Sequence, residues 1–318
     1  MTRRRTARLR RTVLAALVAA AVAVPVSAAA LPEAPAPAPA RFAAATGAPE
    51  RYAASHANLR EAARMADEAG RDTRAAGLRR MAAGGAQFLA FDGRGSGRAV
   101  EVLGDLGDAD RIAVVVPGSD TTLDTYQRFR SGAVALQERM RAAHPRSAVV
   151  AWLGYDTPGT VSPSVLTSGR ADEAADALGP FLRGLHGMNS RAGISLLCHS
   201  YGSVVCARTE TGPAVTDVAL FGSPGTGAGS AAELPGTARI WAGRGADDWI
   251  AGVPHTRLEL PGLAIGFGTD PVDSAFGARV FDAGAGGHSD YLKPGSTSLD
   301  SLARIAAGQT PQPEASRA

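Results

Sequence analysis

The stretch "GISLLCHSYGSVVCA", residues 193–207, predicts a buried strand, a sharp turn and the start of a helix. Its first six residues form a mainly apolar run, typical of strands that are buried on both faces of a parallel sheet. The small residues after Ser200 suit a helix that packs closely against that sheet. Ser200 therefore lies at a strand-to-helix turn, with Cys198 two residues before it and Gly202 two residues after it.

Similar apolar runs on both sides of this stretch predict the other strands of the sheet. They are "QFLAF" and "AVEVL" around a Gly-rich turn, then "RIAVVV" (111–116), "SAVVAWL" (147–153), "DVALFG" (217–222), "ARIWAG" (238–243) and "ARVFDA" (278–283). Helical patterns lie between them, in residues 125–144 and in residues 174–185, where Gly179-Pro180 is a potential kink. This alternation predicts an α/β fold, with a doubly wound, mostly parallel sheet and helices on both faces.

The N-terminal residues predict a signal peptide over residues 1–30. Six arginines in the first eleven residues precede an apolar run that ends in small residues. The run from Val13 to Val24 is too short to span a bilayer, which needs about 20 apolar residues. We therefore expect secretion, by the Sec or the twin-arginine route, and no stable membrane insertion after cleavage.

The remaining chain is predicted to be one domain, residues 51–308, between two short segments. Residues 31–50 form an Ala/Pro-rich spacer that is expected to be extended and unpacked, and residues 309–318 a disordered tail. Residues 51–84 are predicted to be a helical covering element. Loss of the six N-terminal arginines changes the formal net charge from +3 to −3, so charge gives no argument for a nucleic-acid partner.

The turn at Ser200 has the features of a nucleophile elbow. Such a turn lifts the hydroxyl to the top of the sheet and directs the N–H groups of a helix N-terminus at a reacting carbonyl. The positions two before and two after the serine must be small. Gly202 meets this demand, and Cys198, where glycine is usual, is also small. A serine that merely caps a helix would not explain the paired small residues.

Five segments around this turn resemble the α/β-hydrolases, and more narrowly a secreted actinobacterial α/β-hydrolase-domain family of largely unassigned function. They are "VVVPGSDTTLDTY", "LLCHSYGSVVC", "LFGSPG", "ARIWAGRGADDWIAGVPH" and "GGHSDYLKPGS", and they occur in the expected order between residues 87 and 305. The resemblance implies a catalytic serine, acid and histidine in that chain order.

A serine hydroxyl becomes a nucleophile when a base removes its proton and a carboxylate orients that base. The chain has six histidines: His56, His144, His186, His199, His255 and His288. His199 is expected to face away from Ser200 and to pack, since successive strand residues point to opposite faces. His255 is a weaker candidate for the base. His288 is the preferred one, because its Gly-rich loop follows the last predicted strand.

The acid is expected in the loop after "ARIWAG", which contains Asp247 and Asp248. The resemblance favours Asp248, because related families usually carry Asp-x-Ile or Asp-x-Val there, and Asp247 is the alternative acid. Asp270 has a similar local sequence, but it lies well beyond the strand that should deliver the acid and the loop directly after it. We therefore interpret Asp270 as a turn residue.

Two backbone segments are candidates for an oxyanion hole. The N–H of Tyr201 follows the nucleophile directly, and a second donor is expected from Gly118 or Ser119 in the loop after "RIAVVV". A plain turn at the end of a strand would explain Pro117-Gly118 equally well. For Cys198 and Cys206, two buried thiols are the favoured interpretation and a disulfide is the alternative.

The sequence thus predicts a secreted serine hydrolase that cleaves a small-molecule ester through Ser200, His288 and Asp248. It implies no metal or organic cofactor. Only residues 226–237 lie between the segments "LFGSPG" and "ARIWAG", where lipases often carry a lid, so we expect an open, esterase-like site. An amidase or peptidase with the same triad remains an alternative. A non-catalytic exported binding protein is another, although it would not need all three residues.

Overall fold

The computed structural model of the chain describes residues 34–43, 45–160, 169–253, 258–260, 263–265 and 267–311. The predicted signal peptide, His255 and the end of the predicted tail lie outside these residues. Within them, eight strands form one sheet: β1 (Gln87–Asp92), β2 (Arg98–Leu103), β3 (Arg111–Val116), β4 (Ser147–Leu153), β5 (Gly193–His199), β6 (Val215–Phe221), β7 (Arg239–Gly243) and β10 (Arg279–Val280). Their order across the sheet is β1-β2-β4-β3-β5-β6-β7-β10.

The sheet is parallel from β4 to β10, whereas β1 and β2 add an antiparallel edge. A separate antiparallel pair consists of β8 (Leu258–Leu260) and β9 (Leu263–Ile265). The predicted strands are confirmed, but "ARVFDA" is shorter than expected, since only residues 279–280 pair with β7. The predicted α/β fold with a mostly parallel sheet is therefore confirmed.

Helices cover both faces of the sheet because side chains alternate along each strand. Ile112, Val114 and Val116 of β3 belong to one apolar cluster, and Ala113 and Val115 belong to another. The first cluster includes α4 (Gly169–Met188) and α5 (Gly202–Cys206), and the second includes α3 (Tyr126–Ala143) and α6 (Thr297–Ala306). Helix α4 continues through Pro180.

The predicted covering element consists of two helices, α1 (Ala48–Glu68) and α2 (Asp72–Ala82). Its few large apolar residues, such as Leu59, Leu78 and Met81, pack with Phe88 and Phe91 of β1 in a third apolar cluster. A thin apolar stripe is sufficient because these helices bury only one edge of the sheet.

The two terminal segments contact the domain where they are described. Ala36 packs against the third cluster, and the side chain of Asn58 donates a hydrogen bond of 2.9 Å to the carbonyl of Ala38. At the other end Pro311 is buried. The spacer, which was expected to be unpacked, therefore contacts the domain at Ala36 and Ala38, although none of residues 34–43 is buried.

Candidate active site

Ser200 occupies the tight turn between β5 and α5. Its φ of 52° lies in the left-handed region, which is uncommon for a residue other than glycine. Its N–H donates a hydrogen bond of 3.0 Å to the carbonyl of Phe221. A Cβ atom at Gly202 would lie 2.7 Å from the carbonyl oxygens of both Val116 and Pro117, so the turn requires glycine there.

The two cysteines around this turn form a disulfide, with a Cα–Cα distance of 6.4 Å. It links the end of β5 to the end of α5, and both residues are buried. The favoured interpretation of two separate thiols was wrong. Helix α5 has only five residues, so Cys206 stays close to the strand from which the turn departs.

The side chains of Ser200, His288 and Asp248 form a continuous hydrogen-bonded series. The Oγ atom of Ser200 lies 2.9 Å from Nε2 of His288. The Nδ1 atom of the same ring lies 2.9 Å and 3.0 Å from the two carboxylate oxygens of Asp248. A carboxylate only accepts hydrogen bonds, so Nδ1 carries the proton and Nε2 is free to accept the proton of the serine.

Asp248 is buried and fully engaged as a hydrogen-bond acceptor. Besides His288, it accepts hydrogen bonds from the backbone N–H of Ile250 (2.9 Å) and the phenol of Tyr291 (2.5 Å). Burial raises the pKa of this carboxyl, but the hydrogen bonds from His288, Tyr291 and Ile250 outweigh that effect, and its pKa is lowered below the usual value. Asp248 is therefore held as a carboxylate beside the imidazole.

The other candidate acids are placed elsewhere. Asp247 is exposed, and the structure brings Asp248, not this neighbour, to His288. Asp270 forms an ion pair with Arg244 and accepts a hydrogen bond from the N–H of Val272, as expected for a turn residue.

Gly222, at the end of β6, provides the space in which these side chains meet. A Cβ atom there would lie 2.9 Å from the ring of Tyr291, 3.1 Å from Oδ2 of Asp248 and 3.3 Å from Nδ1 of His288. Its φ of 57° also favours glycine. The segment "LFGSPG" therefore contributes to the site through a residue without a side chain.

His199 lies beside the series, which the sequence did not predict. Its Nε2 atom is 2.8 Å from the carbonyl oxygen of His288, and the two rings are 4.9 Å apart. A carbonyl can only accept, so Nε2 of His199 carries a proton and donates it. Burial, followed by the proximity of His288, lowers the pKa of His199 to about 4, so its ring is neutral near pH 7.

The prediction that His199 faces away from the site was wrong. Alternation along β5 does separate it from Cys198, but the loop that carries His288 crosses the face towards which His199 points. Tyr291 was also missed, although it lies only three residues after His288. Its phenol accepts from the N–H of Gly245 (3.0 Å) and donates to Asp248.

Ser200 opens into a cavity of about 810 Å³. Gly118 lies directly against the serine, since a Cβ atom on it would be 2.6 Å from Cβ of Ser200. Ser119 lines the same cavity, as do His199, Trp249, His288 and parts of α3. The side chain of Tyr201 is buried, and its ring packs edge-on against Phe267. The backbone of Tyr201 is therefore the part of this residue that lies beside the serine, at the start of α5.

Within the described part of the chain, no group of three or more His, Cys, Asp or Glu side chains is arranged to hold a metal ion. No helix among the described residues is both long and apolar enough to cross a membrane.

A protein-family model described as "Alpha/beta hydrolase" matches residues 92–258, which is more than half of the chain. The curated relatives include an uncharacterized protein of Mycobacterium tuberculosis strain H37Rv, 32% identical over 252 residues. This match covers 69% of the chain but only 38% of that relative. An uncharacterized protein of Mycobacterium bovis is 33% identical over 184 residues, which cover 54% of this chain and 66% of that protein.

Among solved structures, a Xanthomonas campestris protein described as an a/b serine hydrolase without lid is 16% identical, with a TM-score of 0.43. The Pyrococcus furiosus esterase Pf2001 is 12% identical, also with a TM-score of 0.43. Each match covers 67% of this chain and 88% of the other chain.

Proposed function

Because this chain belongs to the α/β-hydrolase family, we propose that it is a serine hydrolase that cleaves carboxylic esters through an acyl-enzyme. The observation that carries the proposal is the unbroken hydrogen-bonded series from Ser200 through His288 to Asp248. This arrangement can activate a hydroxyl, and it ends at a serine that opens into a cavity.

In the first half of the reaction, Ser200 attacks the ester carbonyl while Nε2 of His288 takes its proton. The same proton then passes to the oxygen of the leaving alcohol, and the acyl group stays on the serine. In the second half, water attacks the acyl-enzyme, His288 accepts a proton from that water, and the proton returns to Ser200 as the acid leaves.

Asp248 stabilises the imidazolium that forms during both halves. Its lowered pKa keeps it charged, and Tyr291 and the N–H of Ile250 fix its two oxygens. We assign the oxyanion hole to the backbone N–H of Tyr201 and to the loop of Gly118 and Ser119. The contact between Gly118 and Ser200 supports this assignment.

We also propose that the enzyme acts without a lid between β6 and β7. Residues 222–238 contain a single short 3-10 helix, Ala231–Glu233, and no larger insertion. Activity should therefore rise smoothly with the concentration of an ester. A jump only above the solubility limit of the substrate would contradict this proposal.

Export of the enzyme is a further part of the proposal. The arginine-rich start and the apolar run of residues 1–30 support it, and the Cys198–Cys206 disulfide suits an oxidising compartment. Mass spectrometry of the protein from culture medium should find an N-terminus near Ala28 or Ala30. Full-length protein retained in the cytoplasm would refute export.

Labelling with a fluorophosphonate tests the catalytic proposal. The probe should modify Ser200 in the wild type and fail in Ser200→Ala and His288→Ala variants. Asp247→Asn and Asp248→Asn form a matched pair, because only Asp248 contacts His288. We expect Asp248→Asn to lower kcat by about 10³–10⁴ and Asp247→Asn to have little effect, as measured with p-nitrophenyl acetate.

Three outcomes are informative. Equal losses in the two aspartate variants would refute the assignment of the acid. A well-folded wild type that the probe does not label would refute the catalytic proposal and favour a binding protein. Faster turnover of an acetanilide than of the matched phenyl acetate would replace the esterase by an amidase.

A further inference from the structure

Trp249 is unusual because it is the one large apolar side chain that is exposed among the described residues, with 54% of its surface accessible. Side chains of this size are usually mostly buried, and aromatic side chains are common in the walls of ligand-binding cavities. Trp249 lines the cavity that contains Ser200.

The backbone around Trp249 is restrained by the catalytic acid. Trp249 begins a 3-10 helix, Trp249–Gly252, and the carboxylate of Asp248 caps that helix by accepting from the N–H of Ile250. Ile250 is buried, which directs the neighbouring tryptophan outward. The indole ring lies against the ring of His288, with 4.6 Å between the ring centroids and 49° between the planes.

The position of His288 indicates which part of an ester would meet this indole. His288 must deliver its proton to the oxygen of the leaving alcohol, so that oxygen lies close to Nε2. The carbonyl oxygen lies on the other side, towards Gly118, which contacts Ser200. The group attached to the leaving oxygen is therefore the part of the ester nearest to His288, and Trp249 packs against the ring of that histidine.

Polar residues line the cavity both in the loop after β3 and in the loop that carries His288. In the first of these loops, the carboxylate of Asp120 accepts a hydrogen bond from the N–H of Thr160. Leu292 and Phe129 contribute apolar surface elsewhere in the lining. The ammonium group of Lys293, the residue after Leu292, forms an ion pair of 2.6 Å with the carboxylate of Asp290.

We propose that Trp249 binds the alcohol portion of the substrate, and that the enzyme prefers esters of alcohols that carry an aromatic ring. This inference rests on the proposed esterase function of the same site. An indole face suits such a ring because offset or edge-on contacts add to the burial of apolar area. The contact is made before the alcohol leaves, so it should contribute to kcat/KM for acylation.

Two isomeric esters test the assignment. Benzyl acetate carries its ring on the alcohol, methyl phenylacetate carries the same ring on the acyl group, and methyl acetate is the reference without a ring. In Trp249→Ala we expect kcat/KM for benzyl acetate to fall about tenfold more than for either methyl ester. Trp249→Phe, which keeps an aromatic face, should retain most of the wild-type preference.

Every other pattern would overturn the inference. Equal losses for all three esters would mean that Trp249 only places His288. A larger loss for methyl phenylacetate would place the acyl group on the indole, and a wild type without preference for benzyl acetate would remove the premise. Failure of the esterase proposal looks different, because no ester would then be hydrolysed in a Ser200-dependent manner and the fluorophosphonate would not label.

Discussion

Breaking the Cys198–Cys206 disulfide should lower the stability of the fold by a calculable amount. The bond closes a loop with a sequence separation of 8, and this loop contains Ser200. In the chain-entropy model, a loop of this size restricts the unfolded chain by about 2.5 kcal/mol at 25 °C. With a urea dependence of about 3 kcal/mol per molar for a domain of this size, the unfolding midpoint should fall by about 0.8 M.

Equilibrium unfolding in urea, with and without a reductant, measures this effect in one chain. The reduced wild type keeps both sulfur atoms, so a difference in midpoint reflects the covalent link. A variant with both Cys198→Ala and Cys206→Ala provides the control. Its midpoint should not respond to reductant, and it should be at least as low as that of the reduced wild type, because two buried sulfur atoms are lost as well.

The turn at Ser200 should survive reduction as long as the protein stays folded. Ser200 is also held by its hydrogen bond to Phe221, and the hydroxyl of Ser203 donates to the carbonyl of Cys198 over 3.1 Å. Fluorophosphonate labelling in low urea should therefore proceed in the reduced protein. A midpoint that does not respond to reductant, together with two alkylatable thiols in the untreated protein, would refute the whole argument.

Three more measurements concern residues around the proposed triad. His199→Gln keeps an N–H donor near Nε2 and should retain most of kcat for p-nitrophenyl acetate, whereas His199→Leu should lower kcat with little change in KM. The wild type should lose stability as the pH falls from 6.5 to about 4. In this range the unfolded chain binds a proton at His199, whereas the folded protein does not, because folding lowers the pKa of this histidine. In His199→Gln, the urea midpoint should therefore change less with pH over this range. Tyr291→Phe should raise the pKa of Asp248, because it removes a hydrogen bond to this charged carboxylate. The stability that the carboxylate contributes above pH 3.8, and that is lost in acid, should therefore fall by about 1.5–3 kcal/mol. Urea unfolding of the variant and the wild type at pH 3 and at pH 7 measures this difference.

The strands and helices could be predicted from the sequence because each is locally distinct. The runs at residues 111–116, 147–153 and 193–198 are apolar on both faces, as the strands of a covered parallel sheet must be. That the side chains of Ser200, Asp248 and His288 lie together was also predictable. Each follows a strand, and the carboxyl ends of parallel strands lie at one edge of the sheet.

The residues around the proposed triad were harder to predict because their contacts depend on the path of loops. Alternation along β5 gave the face to which His199 points, but not the loop that crosses this face. Tyr291 reaches Asp248 across 43 positions of sequence, a distance that no local pattern encodes. The choice between Asp247 and Asp248 likewise depends on the turn that buries one carboxylate and exposes the other.

The precision of the site depends largely on glycines, which a sequence pattern indicates only as turns. Gly202 lets the elbow approach the carbonyls of β3, Gly118 brings the next loop against Ser200, and Gly222 leaves room for the acid and the base. At each of these positions a Cβ atom would come within about 3 Å of another group, closer than normal packing permits. The reactive geometry therefore follows from how closely three strand ends approach one another. A sequence that kept Ser200, Asp248 and His288 but lost these glycines would keep the motif without the distances that the proposed reaction needs.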